Sequence, residues 1–247
     1  MSDETEMGSA MSEDAAPVRL ETIERVAWIY ERLAEMYGVP EWRPNGDPLG
    51  ELVATILSQH TSDVNSERAY KQLRERLPTW EEARDAPVEE VAEAIRSGGL
   101  AEVKAERIQN ILHLLTERLG DAPLSLDFLA ALPMEEADAY LRSLPGVGPK
   151  TAACVLLFAL GKPAFPVDTH VWRVTRRLGL IDAKVSADAA HIALERMIPP
   201  AWRYAMHITL IRHGRRVCTA QRPACERCPL RAGCAYYWEL VAQVDGD

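Results

Sequence analysis

Apolar residues recur at helical spacing along most of the chain. Between Leu20 and Tyr37, the residues Ile23, Val26, Ala27, Tyr30, Leu33 and Ala34 fall at that spacing, which predicts an amphipathic helix. The stretch Val39-Pro-Glu-Trp-Arg-Pro-Asn-Gly-Asp-Pro48 breaks the period and marks a boundary. Beyond it the pattern is helix, short turn, helix. Pro87 opens a helix from Val88 to Arg96 that stops at Gly98-Gly99. Glu102 to Leu119 carries Ile108, Ile111, Leu112 and Leu115 on one face and ends at Gly120. Clear strand pairs joined by hairpin dipeptides are missing, so the expected fold class is all-α.

At 247 residues, with 47% hydrophobic and 26% charged positions, the chain has the composition of one large globular domain or two modest ones. That excludes a fibre or a wholly disordered chain. No segment is apolar enough to span a bilayer, and the acidic start lacks the basic and apolar regions of a signal peptide, so no membrane partner and a cytoplasmic location are expected. The net charge of −9 argues at first against a nucleic-acid partner. Much of it, however, is terminal. Met1 to Pro17 holds Asp3, Glu4, Glu6, Glu13 and Asp14 with no base, and Asp245 and Asp247 close the chain. Residues 1–17 are expected to be a disordered acidic tail. The body that remains is nearly neutral and can carry a local basic face.

Three constellations carry chemistry. In Leu144-Pro-Gly-Val-Gly-Pro-Lys-Thr-Ala152, a helix of roughly residues 135–143 leads into a Gly-x-Gly hairpin and an apolar helix of residues 151–160 leads out. Gly146 and Gly148 admit conformations closed to other residues, and the second helix offers unpaired N–H groups that suit a phosphate. The plain alternative is a tight turn between packed helices. Lys150 falls in the first turn, where the helix dipole disfavours a cation; this gives it a reason to act as a neutral amine nucleophile, against the alternative of a solvated surface lysine. Eighteen residues on, Val167-Asp-Thr-His170 places Asp168 either as the N-cap of the next helix or as a carboxylate facing Lys150 across a cleft. Finally, Cys218, Cys225, Cys228 and Cys234 follow the spacing Cys-x6-Cys-x2-Cys-x5-Cys, with Cys154 standing apart. Four thiolates on a compact loop suit zinc or an iron–sulfur cluster, and only one short Cys-x2-Cys hook is present. Arg212, Arg215, Arg216, Arg222, Arg227 and Arg231 crowd the same region as a basic patch.

Taken together, these motifs, in this order, resemble the endonuclease III family of helix-hairpin-helix DNA glycosylases over roughly Leu20 to Cys234. The resemblance implies a six-helix barrel domain, residues 46–161, beside a cluster domain built from residues 18–45 and 162–247. It implies Lys150 as nucleophile, Asp168 as its catalytic partner, and the four cysteines as ligands of a [4Fe-4S] cluster. Ile56-Leu-Ser-Gln-His-Thr-Ser-Asp63 is similar to a further family stretch: His60 falls where relatives place a glutamine that fills the gap left by a flipped base, and Gln59 is displaced by one position. Leu100 resembles the family's intercalating leucine; otherwise it merely closes a helix. Gly146, Gly148, Gln59, His60, Leu100, His170, Arg222 and Arg231 form the expected DNA-contacting set.

The implied activity is base-excision repair: release of oxidised pyrimidines from double-stranded DNA through a lysine Schiff base, then strand cleavage by β-elimination. The expected partner is duplex DNA with damaged bases or abasic sites, bound by a monomer. Two alternatives stay open: a pyrimidine-dimer glycosylase of the same superfamily, and a non-catalytic iron–sulfur DNA-binding module. An electron carrier would leave Lys150 without a role.

Overall fold

The structure, a computed structural model, describes residues 22–43 and 46–244. The acidic tail lies outside the described residues, as does the expected helix start at Leu20. Among the described residues there is no strand, and the chain is all-α as its periodicity predicts. The helices are α1 (Thr22–Tyr37), α2 (Pro48–Ser58), α3 (Asp63–Arg76), α4 (Trp80–Asp85), α5 (Val88–Ala94), α6 (Ala101–Leu119), α7 (Met134–Arg142), α8 (Pro149–Cys154), α9 (Thr169–Leu178), α10 (Ala187–Met197), α11 (Arg203–Arg216) and α12 (Ala235–Val244). No described helix is long and apolar enough to cross a membrane.

Two hydrophobic cores divide the chain. The first gathers α2 to α8, from Leu49 to Ala164. Its central element is α6, which buries Ala101, Ala105, Ile108, Ile111, Leu112 and Leu115 at helical spacing. Each fully buried Leu or Ile there contributes about 1.5–3 kcal/mol relative to exposure. The second core joins Val26, Ile29 and Leu33 of α1 to residues from Phe165 through Leu230. The chain crosses between the two cores at Ala164 and Phe165, both fully buried. Arg25 ties the two ends of the second core together: its guanidinium donates to the Leu178 carbonyl at the end of α9 and to Gly233 O, 3.2 Å away, in the cysteine-bearing segment.

Local signals explain most boundaries. Asp47 caps α2 by accepting from Gly50 N at 2.7 Å, and Thr79 and Glu82 form a reciprocal capping box on α4. The expected helix from Val88 to Arg96 is shorter: α5 stops at Ala94 and a 3₁₀ turn, Arg96–Gly98, tightens the approach to Gly99. The apolar helix after the hairpin also differs from expectation. It begins at Pro149, whose missing N–H costs nothing at the first position, and it passes after Cys154 into a π-helical turn, Val155–Ala159. Trp42, from the segment between α1 and α2, donates its indole N–H to Leu157 O (2.9 Å) and Phe158 O (3.2 Å) in that turn.

Candidate active site and cysteine centre

A cleft of about 920 Å³ opens between the two cores, walled by the end of α2, the start of α8, the start of α9 and the middle of α11. Lys150 and Asp168 both line it, with Gln59, His60 and His170. Lys150 is the second residue of α8 and is half-buried. One turn later Cys154, 5% exposed, lies beneath it. Burial pushes the Cys154 thiol up to about 11, while the Lys150 amine lowers it and Glu51 and Asp168 raise it. The amine and two carboxylates therefore line the same cleft as one buried, protonated thiol and act on it.

Asp168 is the N-cap of α9, and its Oδ1 accepts from Val171 N at 2.7 Å. Capping and cleft-facing are thus not rival readings. One oxygen is committed to the helix, which fixes the carboxylate where it borders the cleft. Behind it sits His207, 2% exposed, whose Nδ1 donates to the Pro166 carbonyl at 2.8 Å. Burial holds its pKa down to about 4, so the ring is neutral and Nε2 keeps its lone pair. His170 is also held below its usual range, first by burial; its Nδ1 accepts from Arg173 at 3.0 Å, which leaves the proton on Nε2. Gly214 on α11 admits this contact, because a Cβ there would stand 2.9 Å from the His170 Cβ.

The hairpin is built by its glycines. Gly146 has φ +70°, and a Cβ on it would stand 2.5 Å from Arg107 Nε. Gly148, extended, is the N-cap of α8 and offers no side-chain cap. Arg107 in turn donates to Gln59 Oε1 (2.9 Å), while Gln59 Nε2 donates to Thr151 Oγ1 (3.3 Å). Gln59 thus bridges α6 and α8, whereas His60 beside it is exposed. Leu100 does not line the cleft: it is 57% exposed at the N-cap of α6.

Sequence reasoning passed over His207, Glu51, Arg107 and Lys104. The signal for Lys104 was present, since a lysine one turn after Ala101 and one before Ile108 falls on the apolar face of α6. His207 sits in an apolar stretch of α11 with no motif to single it out.

Away from the cleft, Cys218, Cys228 and Cys234 pack against the second core, and Cys225 lies within electrostatic reach of Cys218. Burial raises Cys228 to about 12 and also raises Cys234 and Cys225, and each of these thiols is raised further by others of the set. Among the described residues, however, no three His, Cys, Asp or Glu side chains gather as a single metal ion would require. Four cysteines that act on one another within one short segment are a donor set that fits an iron–sulfur cluster. Two side chains reach the sulfurs: Arg177 Nη1 donates to Cys218 Sγ, and His213 Nε2 shares a hydrogen bond with Cys228 Sγ, both at 3.4 Å. The nearby arginines differ in freedom. Arg222 is exposed. Arg231 lies over the Tyr237 ring at 5.5 Å, and Arg215 is held bidentately by Asp63 at 2.5 and 3.0 Å.

Comparison with known proteins agrees with this arrangement. Residues 53–200 match the model of the HhH-GPD superfamily base excision DNA repair protein, and residues 218–234 match the iron–sulfur binding domain of endonuclease III. The chain is 37% identical to endonuclease III of Thermotoga maritima over 192 residues, covering 77% of this chain and 84% of that protein. Endonuclease III of Bacillus subtilis is 33% identical, with 86% and 92% covered. A putative DNA glycosylase of Arabidopsis thaliana is 38% identical over 68% of this chain, which spans 56% of the plant protein's length. Among solved structures, a trapped endonuclease III–DNA covalent intermediate superposes with a TM-score of 0.76 at 30% identity, covering 90% of this chain and all of that one.

Proposed function

The chain belongs to the endonuclease III family of the HhH-GPD superfamily, and from that premise we propose how its residues divide the work of a base-excision DNA glycosylase/AP lyase with a [4Fe-4S] cluster. The substrate is duplex DNA carrying an oxidised pyrimidine. Because a stacked base hides its sugar carbon, the nucleotide rotates into the cleft. The Lys150 amine attacks C1′ and the C1′–N bond breaks, with the electron pair leaving on the base. The Asp168 carboxylate, held by its cap, stabilises the positive charge that develops on the sugar and takes up the amine's proton. The C1′–O4′ bond then breaks, O4′ leaving with its electron pair and taking back the proton held by Asp168. The protonated imine left at C1′ acidifies C2′, and loss of a C2′ proton expels the 3′ phosphate by β-elimination. The observation that carries this reading is that Lys150 and Asp168, from separate helices, line one cleft together with Cys154.

Around this centre the Gly146–Gly148 hairpin binds a backbone phosphate through the N–H groups at the start of α8. His60 and Leu100 enter the stack where the damaged base has left it, Gln59 and His170 flank the cleft, and Arg222 and Arg231 meet phosphates near the cluster. We assign the described residues of 46–161 to the barrel domain and those of 18–45 and 162–247 to the cluster domain, with the first core reaching past that boundary as far as Ala164.

Duplexes carrying thymine glycol, uracil, a pyrimidine dimer or an abasic site test the substrate. Release of thymine glycol and incision of the abasic site are expected; release of the dimer alone would favour the dimer-glycosylase reading.

Cys218, Cys225, Cys228 and Cys234 would hold the cluster, which supplies a rigid, thiolate-bound anchor for the surrounding arginines. The purified protein should be yellow-brown and contain iron and sulfide. Cys228→Ala should lower the iron content, whereas Cys154→Ala should leave it unchanged, because Cys154 lines the cleft with Lys150 and does not pack with the other cysteines against the second core. Stoichiometric zinc in a colourless protein would refute the cluster.

A further inference from the structure

Among the described residues two non-glycines have a positive φ, and they are His60 (56°) and Leu100 (50°). They stand in different loops, yet one buried side chain joins the backbone just before each. Lys104 on α6 is 2% exposed. Its Nζ donates to Leu57 O at 2.8 Å and Gln59 O at 2.7 Å, at the end of α2, and to Gly98 O at 2.8 Å, in the turn entering Gly99-Leu100. The three bonds use every proton of the ammonium. The α2 carbonyls are those a helix leaves unpaired at its C-terminus, where the dipole favours a cation. A non-glycine residue in the left-handed region persists only where its surroundings over-determine it. Here the surroundings are one charge shared by both loops.

We infer that Lys104 is a positioning residue for base extrusion: by binding the carbonyls of Leu57, Gln59 and Gly98 at once, its ammonium fixes His60 and Leu100 as a preformed pair that enters the DNA stack together. A purely structural need at this buried position would be met by methionine, which fills similar space. Methionine supplies no donor, so the three carbonyls would lose their common partner and the loops their shared register. The inference rests on the assignment of His60 and Leu100 to the DNA stack made above.

The test compares Lys104→Met with the unsubstituted holoenzyme. Base release from a paired thymine glycol is expected to fall about 10- to 100-fold, the scale on which a misplaced supporting group acts. Incision of a preformed abasic site, where no base has to be extruded, is expected to change less than about threefold. A 2-aminopurine opposite the lesion should report less unstacking on binding, with cluster absorbance retained. Leu100→Ala should slow base release in the unsubstituted protein but add little to Lys104→Met, because the two act through one device. Independent, multiplying effects would overturn the proposal, as would a Lys104→Met protein with normal base release. Should the unsubstituted protein release no base at all, the fault lies with the underlying reading instead. If Lys104→Met does not fold, amide hydrogen exchange of residues 59–61 and 98–101 in the unsubstituted protein decides: protection already present without DNA supports the preformed pair, and protection that appears only with DNA overturns it.

Discussion

Replacing Lys150 with alanine is expected to abolish the covalent adduct that borohydride traps between this protein and damaged or abasic duplex. The imine needs an amine beside the sugar, and Lys150 is the amine on the wall of the cleft. Strand cleavage should fall roughly 10³- to 10⁶-fold, between the loss of one acid–base group and the loss of a covalent nucleophile. Binding to abasic duplex and the iron content should hold, because Lys150 belongs to neither core and the cysteines lie elsewhere. Trapping followed by denaturing electrophoresis reads the adduct directly. An adduct that survives Lys150→Ala would identify another amine as the nucleophile.

Asp168→Asn separates two roles that one residue holds. Asparagine is as good an N-cap as aspartate, so its side-chain oxygen should still accept from Val171 N, and thermal stability should change by no more than a few tenths of a kcal/mol. What disappears is the negative charge at the cleft. Base release should therefore slow by roughly two to four orders of magnitude, while incision of preformed abasic sites is spared to a greater degree. Asp168→Ala would lose the cap as well, at about 1 kcal/mol. Single-turnover base release measured beside a thermal melt distinguishes the outcomes. Normal turnover by Asp168→Asn would mean that the carboxylate serves only the helix.

What the sequence determined by itself is the local part of this protein. The 3.6-residue period makes it helical, and Gly120 and Gly179 end α6 and α9 where the chain must turn left-handed. The order of hairpin, Val-Asp-Thr-His and four-cysteine spacing identifies its family because each motif is a short contiguous string whose chemistry depends on near neighbours. The same locality explains the errors of detail. A π-helical turn after Cys154 and the early end of α5 depend on partners such as Trp42 and the turn at Gly98, which no periodicity encodes. Only the tertiary structure could decide whether Asp168 caps or faces the cleft, and it does both, because the second condition is set by α8 and α11 packing opposite α9. The same holds for His207, an ordinary histidine in an apolar stretch until folding buries it against Pro166 O, and for Lys104. Its sequence position says only that a charge falls on an apolar face. Three carbonyls from two distant loops must meet around that charge before it can stay buried, and such a meeting is a property of packing.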